Sequence, residues 1–295
     1  MKILVTGGSG FIGSKLIQAL LKKGHEVISL DKKDKVIDVP HIKKDISDED
    51  LVDIDISDID IIYHTAAQSG GYYSLIHPFV DGMWNCIGTL NVVKLAQKLN
   101  VKKFIYTSSM AVYGNQEDAK EDVIPTPISF YGTSKLTGEY YTKILQEHSN
   151  ISFTIFRLFA TYGAGQDLDN KHQGILSIYL EQALKGDTIT ITGAEDRIRQ
   201  LVHVSDVVNA LLMPLSSTDQ DNETYNVLYD DNLSPRIIID AISHHLGKKL
   251  TIKVIDGYVG DQVLITGSND KLRNTGWNPK IDLNEGIKEF VSALK

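Results

Sequence analysis

The stretch Thr6-Gly7-Gly8-Ser9-Gly10-Phe11-Ile12-Gly13 decides the fold. It follows the apolar run Ile3-Leu4-Val5 and precedes a segment whose apolar residues recur at helical spacing. A strand, a glycine-rich turn and a helix in this order are typical of dinucleotide binding, because glycines let the backbone approach a pyrophosphate closely. The N–H groups and the positive dipole end of the helix then face the phosphates. The chain is therefore predicted to begin with a dinucleotide-binding βα unit.

The nature of the dinucleotide depends on the end of the second predicted strand. The apolar run Val27-Ile28-Ser29-Leu30 ends at Asp31. A carboxylate at this point accepts hydrogen bonds from the adenosine ribose and repels a 2′-phosphate, which favours NAD over NADP. Lys32 and Lys33 follow directly and favour the opposite choice, since lysines pair with a 2′-phosphate. On balance the sequence predicts NAD.

The composition sets the broad class of the protein. The chain is 42% hydrophobic and 23% charged, as is ordinary for a soluble globular protein, and its net charge of −8 argues against binding nucleic acid or an anionic membrane surface. The single cysteine, Cys86, excludes an intramolecular disulfide, and the histidine spacings predict no metal site. No bilayer-spanning apolar run and no signal peptide are visible, so the cytoplasm is the expected location.

Strand-like and helix-like segments alternate through the first half of the chain. This alternation predicts an α/β protein with a Rossmann-type, doubly wound parallel sheet. Residues 32–58 are predicted to be a loop with a short strand ending near Lys44-Asp45. The other predicted strands are 2–6, 26–30, 59–64, 103–108 and 152–157, and the predicted helices are 11–23, 82–99 and 131–148.

The second half interleaves with the first instead of following a linker. Residues 160–174 are predicted to be a long functional loop, and Ser205 is predicted to be a helix N-cap. Helices are predicted at 175–186, 205–215, 234–246 and 283–294, a β-rich stretch at 188–204, and strands at 225–227 and 250–255. The predicted domains are an NAD-binding Rossmann domain, 1–160 with 198–228, and a smaller α/β substrate-binding domain, 161–197 with 229–295.

The chemistry is predicted from Tyr131 and Lys135, which lie four residues apart at the start of a predicted helix and so share a face. A phenol is a poor base at neutral pH, but a nearby ammonium stabilises the phenolate. Ser108 and Ser109 lie at the end of a predicted central strand, at the edge where open α/β sheets bind ligands. A serine that holds a substrate oxygen, beside such a tyrosine and lysine, is typical of a hydride-transfer site.

These motifs resemble those of the extended short-chain dehydrogenases/reductases. Within that superfamily, the chain resembles the NAD-dependent epimerase/dehydratase family, whose best-known type is UDP-glucose 4-epimerase. The resemblance runs nearly end to end. It is carried by Gly7-x-x-Gly10-x-x-Gly13, Asp31, Asp45-Ile46, His64-Thr65-Ala66-Ala67, Asn85-x-x-Gly88-Thr89, Ser108-Ser109, Val112-Tyr113-Gly114, Tyr131-x-x-x-Lys135, Arg199-Gln200-Leu201-Val202-His203-Val204 and Gly276-Trp277-Asn278-Pro279.

The resemblance implies a role for each matching residue. Ser109, Tyr131 and Lys135 are implied to be catalytic, and Ser109, Tyr131 and Arg199 to bind substrate, with Arg199 on its diphosphate. His64 and His203 are expected to be structural. The residues implied to bind NAD are Gly7, Gly10, Phe11, Ile12, Gly13, Asp31, Asp45, Ile46, Thr65, Ala66, Ala67, Asn85, Thr107, Tyr131, Lys135 and Phe159.

The sequence also discriminates among the reactions of the family. Sugar dehydratases of this kind use an acidic pair directly after the catalytic hydroxyl residue, where this chain has Met110 and Ala111. An epimerase needs only to oxidise a sugar hydroxyl and reduce it again, so a nucleotide-sugar epimerase is predicted, acting on C4 of a UDP-hexose with tightly bound NAD. The alternatives are a dehydratase, with Glu121 or Asp167 as its acid, a dehydrogenase or reductase, and a non-catalytic dinucleotide sensor.

Three features depart from the family pattern, and one of them is the segment Gln68-Ser69-Gly70-Gly71-Tyr72-Tyr73, which differs from the usual 4-epimerase loop over the sugar. Ala160 stands where the family has an asparagine that contacts the nucleotide sugar, and Tyr258 stands where it has a second arginine on the diphosphate. What replaces these anchors is left open by the sequence. The resemblance further implies a homodimer that forms through the helices near 82–99 and 131–148.

Overall fold

The computed structural model describes residues 1–170, 174–257 and 264–294. Its strands are β1 (Lys2–Thr6), β2 (Glu26–Asp31), β3 (His41–Lys43), β4 (Ile61–His64), β5 (Lys103–Ser109), β6 (Ser152–Leu158), β7 (Ala160–Tyr162), β8 (Thr188–Thr192), β9 (Leu201–His203), β10 (Glu223–Val227) and β11 (Thr251–Ile255). Its helices are α1 (Phe11–Lys22), α2 (Gly71–Ile76), α3 (Pro78–Asp81), α4 (Thr89–Leu99), α5 (Phe130–Glu147), α6 (Ile175–Lys185), α7 (Val204–Leu212), α8 (Pro235–Leu246), α9 (Asp270–Arg273) and α10 (Leu283–Ser292).

The central element is a seven-stranded parallel sheet in the order β10-β6-β5-β4-β1-β2-β3. The chain builds outward from β1 to β2 and β3, then returns to the other side of β1 with β4 and continues through β5 and β6. The strand order therefore reverses between β1 and β4. In open α/β sheets, the crevice beyond the carboxyl ends of the strands at such a reversal is where ligands bind. The predicted Rossmann-type α/β architecture is confirmed.

Both faces of the sheet are buried, as the run Ile3-Leu4-Val5 requires. Ile3 and Val5 face a core that includes α1 and α7, while Leu4 faces a second core that includes α4 and α5. Successive strand residues point to opposite faces, so an uninterrupted apolar strand needs a helical layer on each side. The glycine turn after β1 is thereby fixed between the sheet and α1.

A third core lies in the part of the chain that follows β6. It joins Tyr162 of β7 and Leu180 of α6 to residues of α8 and α10, such as Ile238 and Phe290. Two small parallel sheets, β8 with β11 and β7 with β9, belong to this region. The domain boundaries given above stay a prediction. Within the described ranges, no helix has both the length and the apolar character needed to cross a membrane.

Several local predictions were wrong. The predicted loop at 160–174 begins with β7, whose partner β9 lies about forty residues further on. Ser205 is not the N-cap of α7: His203 holds that position, and its Nδ1 accepts a hydrogen bond from the Ser205 N–H at 3.3 Å. The predicted helix 82–99 begins earlier, at α3, and continues through a π-helical turn, Gly82–Gly88, into α4. Helix α2 was not predicted.

Candidate active site

A cleft of about 650 Å³ opens at the carboxyl ends of the central strands. All but one of the predicted site residues line it. They are Gly7, Gly10, Phe11, Ile12, Gly13, Asp31, Asp45, Ile46, Thr65, Ala66, Ala67, Thr107, Ser109, Tyr131, Lys135, Phe159 and Arg199. The structure thus brings together residues that lie as much as 192 positions apart in the sequence (Arg199 minus Gly7).

The glycine turn is too tightly packed for any other residue type. Gly7 has a φ of +72°, and a Cβ there would lie 2.6 Å from the Ala66 nitrogen. A Cβ on Gly13 would lie 2.1 Å from the Gly7 oxygen. Gly10, the N-cap of α1, provides no side-chain acceptor for the first turn of the helix. The N–H groups of that turn are consequently directed at the cleft, and the turn fits a pyrophosphate.

Asp31 ends β2 at the rim of the cleft, as predicted. Its Oδ2 accepts a hydrogen bond from the Ser9 N–H at 3.0 Å, and its Oδ1 accepts one from the Lys33 N–H at 2.9 Å. These bonds fix the orientation of the carboxylate, and each oxygen keeps a lone pair for a further donor. Asp31 is therefore suited to accept hydrogen bonds from ribose hydroxyls.

Ser109, Tyr131 and Lys135 converge from two elements. Ser109 is the last residue of β5, Tyr131 is the second residue of α5, and Lys135 lies one helical turn later. The Ser109 hydroxyl hydrogen-bonds the Tyr131 phenol. The Lys135 ammonium is buried, and its Nζ lies 4.4 Å from the centre of the Tyr106 ring. The arrangement places a proton donor and acceptor against a hydroxyl that can hold a substrate oxygen.

Burial is the largest cause of the pKa shifts of Tyr131 and Lys135. It raises the pKa of Tyr131 to about 12, against the opposing hydrogen bond from Ser109. Burial also lowers the pKa of Lys135 to about 7, although the carboxylates of Glu139 and Asp81 oppose that change. The expectation that Lys135 lowers the pKa of Tyr131 is not met in this structure. A lysine with such a pKa is only about half charged at neutral pH, so it stabilises a phenolate less than a full ammonium would.

The backbone of Tyr131 is held by a helix that the sequence did not reveal. The N–H of Tyr131 lies in the first turn of α5, where it has no partner within the helix. The buried Ser74 Oγ of α2 accepts its hydrogen bond at 3.1 Å, while the N-cap Ser129 Oγ accepts the next one, from Gly132, at 3.0 Å. Helix α2 thereby fixes the start of α5 and the position of the phenol.

Asn85 is the one predicted cofactor-binding residue that does not line the cleft. It lies behind the wall, in the π-helical turn. Its Oδ1 accepts a hydrogen bond from the Gln68 N–H at 2.8 Å, and its Nδ2 donates to the Gln68 carbonyl at 3.1 Å and to the Asp81 carboxylate at 3.0 Å. Asn85 thus orients the Gln68 peptide, which does line the cleft.

The two histidines of the family motifs have structural contacts. His64 is fully buried, with its ring nitrogens 2.7 Å from Thr6 Oγ1 and 3.0 Å from Thr89 Oγ1. Burial, helped by the charge of Lys135, lowers the pKa of His64 to about 3, so the ring is neutral at physiological pH. His203 caps α7 as described above. Neither ring lines the cleft.

The acid that a dehydratase requires is not found next to Ser109. Met110 lines the cleft, and Ala111 is buried. Glu121 lies outside the cleft lining, where its Oε1 accepts a hydrogen bond from the Asn226 N–H at 2.8 Å. Asp167 does line the cleft, on its exposed rim. Of the two acids considered from the sequence, only Asp167 is accessible from the cleft.

Several lining residues were missed by sequence reasoning. Trp84 faces the cleft because the π-helical turn carries it there, and no local pattern predicts such a turn. Arg199, which was predicted, is 7% exposed. The missed lining residues also include Thr161, Gln166, Asn170, Gly174 and Ile175. Tyr258 lies outside the described residues, so its predicted departure from the family remains a sequence observation.

A parallel sheet with this glycine turn and a Ser-Tyr-Lys site is the fold of the short-chain dehydrogenases/reductases. The model of the NAD dependent epimerase/dehydratase family matches residues 3–227, and the chain belongs to that family. The UDP-glucose 4-epimerase of Mycolicibacterium smegmatis is 30% identical, over 100% of this chain and 99% of its own length.

Solved structures of relatives share the fold closely. The Thermus thermophilus UDP-glucose 4-epimerase complex with NAD superimposes with a TM-score of 0.91 at 30% identity, covering 99% of this chain and 98% of its own. The UDP-glucuronic acid 4-epimerase of Bacillus cereus, in complex with UDP-glucuronic acid and NAD, gives a TM-score of 0.92 at 27% identity. It covers 100% of this chain and 99% of its own.

The lowered pKa of Lys135 predicts a pH-dependent cost of folding. In the unfolded chain the lysine titrates near its ordinary value of 10.5, whereas in the folded protein it titrates at about 7. The unfolded state therefore binds more protons between these values, and stability rises with pH there. Lys135→Met removes this cost. The stabilisation by Lys135→Met is expected to be largest below pH 7 and to vanish as the pH rises toward 10.5.

Urea unfolding of nucleotide-free wild-type and variant protein across this pH range measures the effect. Lys143→Met is the matched control, because Lys143 lies on the same helix but is partly exposed. A stability difference for Lys135→Met that does not change with pH would contradict the prediction.

Proposed function

We propose that the chain is an NAD-dependent UDP-sugar 4-epimerase that oxidises the C4 hydroxyl of a UDP-hexose and reduces the ketone from the opposite face. The observation that carries the proposal is the cleft itself. The cleft contains both the glycine turn, which fits the pyrophosphate of NAD, and the residues Ser109, Tyr131 and Lys135. Met110 stands where a dehydratase needs an acid. The relatives named above are 4-epimerases, and their shared scaffold supports the same reaction here.

The residues of the chain account for the proton transfers. Ser109 holds the sugar oxygen against Tyr131, and Tyr131, in its phenolate form, takes the hydroxyl proton as the C4–H bond breaks. Bound NAD would supply the hydride acceptor for this oxidation, and its reduced form would supply the hydride for the reduction. Tyr131 then gives the proton back to the sugar oxygen, so that atoms and electrons balance over the cycle. Lys135, one helical turn further along α5, adds part of a positive charge to the same cleft.

The diphosphate of the substrate is assigned to the other end of the cleft. Arg199 is buried there, and its Nη1 donates to the Ile198 carbonyl at 2.8 Å, which helps to orient the guanidinium. Arginine suits a diphosphate by charge and by its planar fork of donors. Ala160 supplies no side-chain donor, so we assign the missing amide contact to Gln166 and Asn170, which also line the cleft.

A homodimer through α4 and α5 belongs to the same proposal. Exposed apolar side chains lie on the outer surface of the helix formed by α3, the π-helical turn and α4, where Met83 and Ile87 are 47% and 41% exposed. On α5, Tyr140 and Ile144 are 54% and 48% exposed. Adjoining apolar surfaces of this kind mark interfaces. A cytoplasmic location is retained as a proposal from the single cysteine.

Incubation with a nucleotide-sugar panel tests the reaction directly. The protein as purified, with no cofactor added, is expected to convert a UDP-hexose into a product of unchanged mass, because any bound NAD reduced in the first half of the cycle would be oxidised again in the second half without leaving the cleft. Mass-resolved chromatography detects the new peak. A product lighter by one water would establish a dehydratase instead. A two-hydrogen change that appears only with added NAD or NADPH would establish a dehydrogenase or reductase.

Tyr131→Phe tests the assignment of the proton donor. The variant keeps the ring but loses the hydroxyl, so turnover is expected to fall by about 10²- to 10⁴-fold while NAD content is retained. Tyr140→Phe on the exposed face of the same helix is the control and keeps near-normal turnover. Turnover close to wild type in Tyr131→Phe would remove Tyr131 as the acid–base.

Light scattering tests the dimer. Because a buried charge without a partner is costly, the double variant Met83→Glu/Ile144→Glu is expected to be a monomer. Leu184→Glu, at an exposed apolar position on α6, is the control and remains a dimer. A wild-type monomer, or a double variant that still forms dimers, would defeat the proposed interface.

A further inference from the structure

The adenosine end of the cleft is rich in lysine, yet most of that charge is already neutralised. Lys44, which lines the cleft, pairs with Asp50 at 2.7 Å, and Lys43 pairs with Asp34 at 2.6 Å. A 2′-phosphate binds where cations are free to approach it, so the number of lysines at this rim overstates its attraction for NADP. Lys32, the direct neighbour of Asp31, is the informative case.

Lys32 is held by two other cleft residues. Its Nζ lies 3.0 Å from the centre of the Trp84 ring and 3.5 Å from Asp45 Oδ2. Trp84 and Asp45 come from different segments, and both line the cleft together with Lys32. A cation over a tryptophan face is attracted by the ring quadrupole, and the carboxylate adds a direct charge interaction. The two contacts hold the ammonium against the side of the cleft formed by Trp84 and Asp45.

Each partner of Lys32 is itself held in place. Asp45 Oδ1 accepts hydrogen bonds from the Ser47 N–H at 3.0 Å and from the Ser47 hydroxyl at 2.8 Å. These bonds, with the charge of Lys32, keep the pKa of Asp45 below its ordinary value despite partial burial. Trp84 is carried to the cleft by the π-helical turn Gly82–Gly88. Both partners are therefore held by contacts within the protein itself.

The carboxylate of Asp31 is equally fixed. The hydrogen bonds from the Ser9 and Lys33 N–H groups hold its two oxygens at the rim. Lys32 follows Asp31 directly in the chain, and its four-carbon side chain is long enough to reach ligand groups beside Asp31 once it is released. The two hydrogen bonds hold the carboxylate in place, whereas the Lys32 ammonium can change its position. Whether a 2′-phosphate is tolerated thus depends on where the Lys32 ammonium is held.

We propose that Trp84 and Asp45 are specificity-determining residues that exclude NADP by holding Lys32 away from the ribose 2′ position beside Asp31. This inference rests on the proposed function only in that the cleft binds NAD. Asp31 repels a 2′-phosphate. Because Lys32 is bound to Trp84 and Asp45, its ammonium is not available to compensate that repulsion. Release of Lys32 by loss of either partner is expected to increase the affinity for NADP relative to NAD.

Competition between the two dinucleotides measures this selectivity. The full-length protein is equilibrated with mixtures of NAD and NADP, free nucleotide is removed, and the bound dinucleotides are quantified by chromatography. Asp45→Asn and Trp84→Leu are each expected to lower the preference for NAD by about fivefold, the effect of one partly exposed interaction. The readout is a ratio of bound species and requires no turnover.

Three controls separate the proposal from other causes. Asp38→Asn also removes one negative charge, beside Lys35, but neither residue lines the cleft, so the ratio stays as in the wild type. Lys32→Met alone leaves the preference for NAD intact. The double variant Trp84→Leu/Lys32→Met loses the gain in NADP binding, because the cation is no longer present. Thermal melting checks that each variant is folded.

The outcomes are distinct. A wild-type ratio in both Asp45→Asn and Trp84→Leu overturns the inference and leaves the proposed function standing. A gain that persists in the double variant also overturns it, because Lys32 is then not the responsible group. A wild-type protein that retains neither dinucleotide overturns the proposed function together with this inference.

Discussion

The buried ion pair between Arg157 and Glu139 is the interaction on which the site depends. Arg157 lies on β6, Glu139 lies on α5, and both side chains are almost fully buried. The guanidinium contacts both carboxylate oxygens, from Nε at 2.9 Å and from Nη2 at 2.7 Å. The Ser108 hydroxyl donates to the same carboxylate at 2.5 Å. These contacts fix α5 against β5 and β6 close to the reactive residues.

The position of this pair explains why it matters for chemistry. Ser108 immediately precedes Ser109, and Glu139 lies one helical turn beyond Lys135. A shift of α5 against β5 and β6 would therefore have to break the ion pair and the Ser108 hydrogen bond. Arg157 extends the network, since its Nη1 donates to the Tyr113 hydroxyl at 2.8 Å. Removing one partner of such a pair leaves an uncompensated buried charge, which typically costs about 3–5 kcal/mol.

The elements that the sequence predicted are those whose signal is local. Strand β1, the glycine turn and α1 follow from an apolar run, three spaced glycines and a helical repeat, which need no knowledge of distant residues. Helix α2 has only six residues and begins with glycine, and its key contact, from Ser74 to the Tyr131 backbone, bridges 57 positions. Strand β7 has three residues and a distant partner. Such short elements exist because of tertiary contacts, which one sequence does not display.

The same distinction applies within the site. The identities of the predicted lining residues followed from motifs, but the protonation of Tyr131 and Lys135 depends on burial by the whole fold. A phenol with a pKa of about 12 beside a lysine with a pKa of about 7 rests as a neutral phenol at physiological pH. Ser109 alone does not offset the burial. Further stabilisation of a phenolate has to come from positive charge that binds in the cleft, and the oxidised nicotinamide ring is cationic. Positive charge bound in the cleft would therefore favour the phenolate and with it the action of Tyr131 as a base.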